Sequence, residues 1–100
     1  MKAEIEELLK LLDEAHNLAS QYTGGYSSGY HGEILFAEDF HPILKDSIKN
    51  LKQGNLEEIK KLHFFFFPGN AWDAFTGREG MDLGNNIFKI LSNLKLKASS

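Results

Sequence analysis

The sequence has no cysteine and no long apolar run, and these absences exclude several classes of protein. Without cysteine the chain forms no disulfide and no thiolate metal site, which fits a reducing cytosol. The longest apolar run, Phe64 to Phe67, is far shorter than the ~20 residues that a membrane-spanning helix needs. The first sixteen residues are acidic and amphipathic, so they do not predict a signal peptide. We therefore expect a cytoplasmic protein with no membrane partner.

Basic residues are scarce in the first half of the chain. Residues 1–42 carry eight acids and two lysines, a net charge of −6, whereas residues 43–100 carry six acids and nine lysines or arginines, a net charge of +3. No Lys or Arg occurs between Asp13 and Lys45. Because phosphates bind to basic surfaces, this distribution disfavours nucleic acid as the partner and favours a basic protein. For the first helix alone, a solvated acidic face is the alternative.

Apolar residues recur with helical spacing in four segments, which predicts an all-α fold for the 100 residues. We expect a single domain, residues 1–100, that forms a compact bundle of about four helices, with the first helix from about Ala3 to Gln21. The next segment, Tyr22 to Glu33, has four glycines and three tyrosines in twelve residues. Glycine at this density disfavours a helix and predicts a long ordered loop. The tyrosines of this loop either pack on the domain or contact a partner.

Polar residues at the segment boundaries predict where the central helices begin. Glu38 or Asp39 is expected to cap the second helix, with Pro42 in its first turn, the part of a helix that tolerates proline. Asn55 is expected to cap the third helix, with Glu58 three residues later in the spacing of a capping box.

The segment HFFFFPGNAWDAF, residues 63–75, contains four consecutive phenylalanines followed by a Pro-Gly break. Consecutive helical residues are about 100° apart, so Phe64 to Phe67 cannot share one face. A helix end that is apolar all round is typical of burial on all sides. We therefore expect the last turn of the third helix to enter the core, covered by Trp72, Phe75 and the final helix. A hydrophobic interaction patch is the alternative.

Catalytic and metal-binding patterns are weak. The four histidines, at positions 16, 31, 41 and 63, form no His-x-x-x-His pair, and Glu38 and His41 are an isolated pair beside Pro42. We expect no metal, no cofactor and no enzymatic activity. His31 and Glu33 are a candidate acid–base pair, and they support the alternative of a small hydrolase or nuclease.

The C-terminal third carries the pattern WD-x-x-x-G … LGN-x-I-F. Together with the Gly/Ser-rich loop after the first helix, it resembles a family of small helical bacterial immunity-type proteins. These are antidotes encoded beside polymorphic or contact-dependent growth-inhibition toxins. The family pattern has a second acid after the Trp-Asp pair, and Ala74 occupies that position here, so a role tied to that acid does not carry over. The matching residues are Trp72, Asp73, Gly77, Leu83, Gly84, Asn85, Ile87 and Phe88.

The same residues also have a structural interpretation. Trp72 is expected to pack in the core, and Asp73 and Asp82 to cap helix starts. Gly84 is expected to let two helices approach closely.

The resemblance implies an immunity protein that binds a cognate toxin domain and neutralises it by occlusion. An acidic antidote complements a basic toxin surface, so the expected toxin is a nuclease. A structural helical adaptor is a further alternative. Tyrosine is enriched at interface hot spots, so two tyrosines are expected as anchors beside three acids. The expected partner-binding residues are Tyr26, Tyr30, Glu33, Glu38 and Asp39.

Overall fold

A computed structural model describes residues 2–99. The predicted helical bundle is confirmed, and it carries in addition a small two-stranded sheet after the first helix, which the all-α prediction did not include. The Cα radius of gyration is 12.5 Å, close to the ~13 Å of a compact chain of this length. The elements are α1 (Lys2–Ala19), β1 (Tyr26–Ser28), β2 (Ile34–Phe36), α2 (Ala37–Lys52), α3 (Glu58–Phe66), α4 (Ala71–Thr76), a 3-10 helix (Gly77–Gly80) and α5 (Met81–Ser99).

Contacts between helix ends show how the bundle is arranged. The rings of His16, late in α1, and His41, early in α2, lie 5.6 Å apart, so α1 and α2 are antiparallel. An ion pair joins Glu4 at the start of α1 to Lys97 near the end of α5, which makes these helices antiparallel too. The hydrogen bond to Lys97 lowers the pKa of the Glu4 carboxyl. Helix α3 packs on α5, and α4 lies against α3, α5 and β1.

The loop predicted between Tyr22 and Glu33 is in fact the first part of a β-hairpin. Strands β1 and β2 pair antiparallel with Tyr26 opposite Phe36 and Ser28 opposite Ile34. The turn is closed by a 2.6 Å bond from the Gly29 N–H to the Glu33 carbonyl. Each strand has three residues, too few for a visible alternation of apolar and polar residues.

The predicted helix caps are wrong at α2, because the hairpin leads straight into the helix. Phe36 occupies the N-cap position in an extended conformation, φ −92° and ψ 150°, and the helix begins at Ala37. Glu38 and Asp39 therefore lie inside the first turn, and Pro42 lies one turn deeper than expected. The Glu38 carboxylate instead accepts a hydrogen bond from the Gly24 N–H, which ties the hairpin to α2.

The predicted capping box of the third helix is also wrong. The Asn55 side chain accepts the Glu57 N–H at 3.1 Å, which forms a turn before α3 begins at Glu58. The Glu58 carboxylate accepts the side-chain N–H of Asn50 at 2.6 Å, so it joins α3 to α2 instead of completing a cap. Leu56 precedes the helix and is exposed.

The end of α3 enters the core as predicted, except for its last ring. Phe65 and Phe66 are 2% and 3% exposed, whereas Phe64 is half-buried and Phe67 is 49% exposed. Phe67 has extended backbone, φ −60° and ψ 138°, because it precedes proline, and it therefore leaves the helix with its side chain at the surface. The ring of Phe66 lies 5.0 Å from Trp72.

Trp72 is completely buried, and its indole ring packs against two glycines. Its Nε1–H donates to the carbonyl of Gly80 at 2.7 Å. A Cβ atom on Gly80 would lie 2.8 Å from Cζ2 of the indole, and one on Gly84 would overlap Cδ1 and Nε1. The predicted close approach at Gly84 is thus a contact between α5 and the Trp72 ring of α4. Gly77 ends α4 with φ +57°, a conformation that favours glycine.

The expected caps of α4 and α5 differ. The Asp73 carboxylate accepts the Gly69 N–H at 2.7 Å, so it stabilises the turn before α4, although Asn70 is the N-cap. Asp82 does not occupy a cap position, because the 3-10 helix runs directly into α5 and Met81 is already helical. Its charge in the first turn still suits the helix dipole.

We predict that Phe66→Ala destabilises the fold by about 3–5 kcal/mol, because it removes a buried ring that packs on Trp72. Phe67→Ala is the matched control: the neighbouring ring is half exposed, so its removal costs much less. Thermal or denaturant unfolding of both variants measures the difference. Equal losses of stability would contradict the difference in burial between the two rings.

Gly84→Ala is predicted to destabilise the protein by about 1–3 kcal/mol through overpacking against the indole. Helix propensity alone predicts the opposite sign, a gain of up to ~1 kcal/mol. The control is Asn86→Ala at an exposed position of α5, which is expected to be neutral or slightly stabilising. The Gly84→Ala penalty is expected to shrink in a Trp72→Phe background. A stabilised Gly84→Ala protein would show that the indole does not occupy this space.

Candidate functional site

The outward side of the hairpin is an exposed apolar surface. Side chains alternate between the two sides of a strand, so Tyr26 and Ser28 of β1 share a side with Ile34 and Phe36 of β2. We call these four residues the hairpin face. Tyr26 is 73% exposed, Ile34 66% and Phe36 47%, whereas Leu35 points the other way and is buried. Such a cluster of exposed apolar side chains is typical of an interaction surface.

The pattern of backbone hydrogen bonds brings the apolar side chains close together. Bonds are formed from the Ala37 N–H to the Gly25 carbonyl and from the Gly29 N–H to the Glu33 carbonyl. Because hydrogen-bonded and non-hydrogen-bonded pairs alternate, Tyr26 and Phe36 form a non-hydrogen-bonded pair. Side chains are closest in such pairs, so Tyr26 and Phe36 are direct neighbours on the hairpin face.

Two of the predicted acidic site residues stabilise the hairpin itself. The Glu33 carboxylate accepts the backbone N–H of His31 at 3.0 Å. It folds over the turn, where a Cβ on Gly29 would lie 2.7 Å from the Glu33 carboxyl carbon. Glu38 accepts the N–H of Gly24 at the base of the hairpin. Both side chains remain exposed, so each combines a structural bond with a charge that faces solvent.

The five predicted partner-binding residues do not form one cluster. Tyr26 and Glu33 line the same depression of about 310 Å³. Glu38 and Asp39 are exposed in the first turn of α2, directly after Phe36. Tyr30 lies apart from them: it is half-buried, packs on the core, and its ring is 5.6 Å from that of Phe64.

The structure adds an acid that the sequence did not associate with the hairpin. Tyr22 lies just before β1, and partial desolvation and a hydrogen bond to the Glu79 carboxylate both raise its pKa. Glu79, in the 3-10 helix, therefore extends the negative charge toward the base of the hairpin. No sequence signal could identify this neighbour, because Tyr22 and Glu79 are 57 positions apart in the sequence.

Sequence reasoning also missed Ile34 and Phe36. Both belong to a run of three consecutive apolar residues, Ile34 to Phe36, which shows no alternation of apolar and polar residues. A short alternating strand before the helix would have placed both of them on the side opposite Leu35.

The candidate pair His31 and Glu33 is joined through the backbone. The Glu33 carboxylate accepts the main-chain N–H of His31, and the imidazole lies 4.7 Å from the ring of Tyr30. This contact orders a turn and does not resemble a base held beside a nucleophile. Within residues 2–99, no three His, Asp or Glu side chains lie close enough together to hold a metal ion.

Comparison of the chain with known protein families, curated proteins and solved structures finds no match. In the described part of the chain, no helix has the length and apolar character needed to cross a membrane.

We predict that Glu33→Ala loosens the hairpin, because the His31 N–H loses its acceptor, and that Glu33→Gln keeps it through the remaining side-chain carbonyl. The hydrogen bond that remains in Glu33→Gln has a neutral acceptor, and such a bond contributes about 1 kcal/mol to stability. NMR contacts between the Hα atoms of Ser28 and Ile34 are the measurement. These contacts should weaken in Glu33→Ala and persist in Glu33→Gln. Contacts that survive in both variants would contradict the role of the Glu33 side chain in stabilising the hairpin turn.

Proposed function

We propose that the chain is a non-catalytic binding protein of immunity type, which captures a cognate toxin domain and neutralises it by occlusion. The observation that carries the proposal is the hairpin face, an exposed apolar surface bordered by acidic side chains. A surface that is apolar at its centre and charged at its rim has the usual anatomy of a protein interface.

The chemistry of this surface supports a basic protein as the partner. Residues 20–44 contain three acids, Glu33, Glu38 and Asp39, and no Lys or Arg. Charges of one sign attract a partner of the opposite sign and accelerate its association. The active surface of a nuclease is basic because it holds phosphates, so a nuclease toxin fits this description better than nucleic acid does.

The apolar and the acidic side chains of this surface are expected to contribute to binding in different ways. Tyr26 and Ile34 supply apolar area at the centre, where few residues carry most of the binding free energy. The acids at the rim contribute mainly to the association rate. Tyr30 lies outside this surface, because its half-buried ring packs on the core beside Phe64. The proposed location is the cytosol, where a nuclease toxin would act.

The proposal requires a toxin domain encoded beside the gene, and the test measures the binding of such a domain to two sets of variants. Tyr26→Ser combined with Ile34→Thr removes the apolar centre, and a loss of ~2 kcal/mol, or about thirtyfold in affinity, is expected. Leu96→Ser is the matched control: Leu96 is 71% exposed on α5, far along the chain from the hairpin, and its replacement should leave affinity unchanged.

The charge set is Glu33→Gln, Glu38→Gln and Asp39→Asn. These changes remove three charges but keep the side-chain carbonyls that accept the His31 and Gly24 N–H groups. The association rate should fall about tenfold at low salt and lose most of its salt dependence. Unchanged affinity in both sets would exclude the hairpin face as the binding site. A purified protein that cleaves RNA or DNA, and stops doing so with His31→Ala, would favour the hydrolase alternative instead.

A further inference from the structure

A second surface differs from the hairpin face in charge and in composition. It is a groove of about 460 Å³ between the hairpin turn, the end of α3 and α5. Its apolar lining consists of aromatic rings: Tyr30 and Phe64, whose centroids are 5.6 Å apart, and Phe67, which is half exposed. We call it the aromatic groove. A mainly apolar concavity of this volume with a few polar groups is typical of a small-molecule site.

Among the described residues that line the aromatic groove, the charged side chains are two cations, Lys60 from α3 and Lys95 from α5. Lys60 is paired with Glu57 at 3.6 Å, and both side chains of this pair are more than half exposed. Pairs of this kind contribute about 0–1 kcal/mol, so Lys60 can exchange this contact for another anion at little cost.

His63 also lines the aromatic groove and lies near Lys95. Its ring is 4.7 Å from Phe88 and 6.1 Å from Phe67, and its Nε2 is 3.3 Å from the Ser92 hydroxyl. Burial, and then the nearby charge of Lys95, lower the pKa of His63. The imidazole is therefore neutral near pH 7 and presents a flat ring to the groove.

We propose that the aromatic groove binds a small aromatic carboxylate. Its ring packs against Tyr30, Phe64 and Phe67, and its carboxylate faces the ammonium groups of Lys60 and Lys95. Three features select this ligand. Flat rings favour a planar apolar group, and the volume suits a small molecule. The described lining residues include two cations and no Asp or Glu, which favours an anion. A basic or neutral polar ligand satisfies fewer of these features.

The site is independent of the proposed interaction with a toxin. The hairpin face lies on the outward side of the strands, whereas Tyr30 lines the aromatic groove from the turn. Loss of toxin binding would therefore leave this proposal standing, and absence of a groove ligand would leave the proposed function standing.

The experiment titrates the full chain with 3-phenylpropionate and with the neutral amide 3-phenylpropionamide, followed by ¹H–¹⁵N NMR. The carboxylate is expected to give saturable shifts in the backbone amides of residues 63–67 and in the side-chain amide of Asn70, which lines the groove. The amide is expected to bind about tenfold more weakly, the change that ~1.4 kcal/mol produces.

Variants separate the charge from the aromatic lining. Lys60→Gln with Lys95→Gln should reduce carboxylate affinity about tenfold and leave amide affinity unchanged, whereas Phe67→Ala should weaken both ligands. Lys49→Gln, a lysine of α2 that lines a different depression, is the control and should change neither. Equal affinity for carboxylate and amide, shifts confined to other elements, or no saturable shift at all would overturn the proposal. Retained native spectra in all variants exclude unfolding as the cause.

Discussion

The indole of Trp72 fills the space that two glycines leave open, and much of the structure depends on this contact. Gly80 and Gly84 admit the ring because neither has a Cβ, and the Gly80 carbonyl accepts its N–H. The ring also touches Phe66 and lies 6.3 Å from Phe40. A six-residue helix, α4, is thereby held against α3, α5 and the start of α2. Short helices are marginal in isolation, so α4 owes its stability to this packing.

The hairpin depends indirectly on the contact between Trp72 and the two glycines. Strand β1 lies against α4, and Leu35 of β2 belongs to the core that Trp72 organises. A two-stranded hairpin is at best marginally stable alone in water. This one is supported by α4 beneath it and by Glu38, whose carboxylate binds the Gly24 N–H. The exposed apolar side chains of the hairpin face therefore lie on strands that the rest of the fold supports.

How much was predictable depended on the range of the interactions involved. The helical segments were predicted from the spacing of apolar residues. The burial of Phe66 and Trp72 was predicted from the helix end that is apolar all round and from the aromatic segment that follows it. Helix starts were predicted poorly: the side chains of Glu38 and Glu58 bind groups 14 and 8 residues away instead of local backbone. Of the candidate site, Tyr26 and the acids were found from composition. Ile34 and Phe36 were missed because their exposure depends on a strand register that three residues do not reveal.

Strand β2 passes into α2 without an intervening residue, since Phe36 is both the last strand residue and the N-cap of the helix. The orientation of the hairpin is therefore fixed relative to α2. One residue inserted at this junction would turn the hairpin by about 100° around the axis of α2, because that is the rotation of one helical residue. Tyr26 would then point elsewhere. A change in length at the Gly29–Gly32 turn, at the far end of the ladder, would leave the orientation of the strands relative to α2 unchanged.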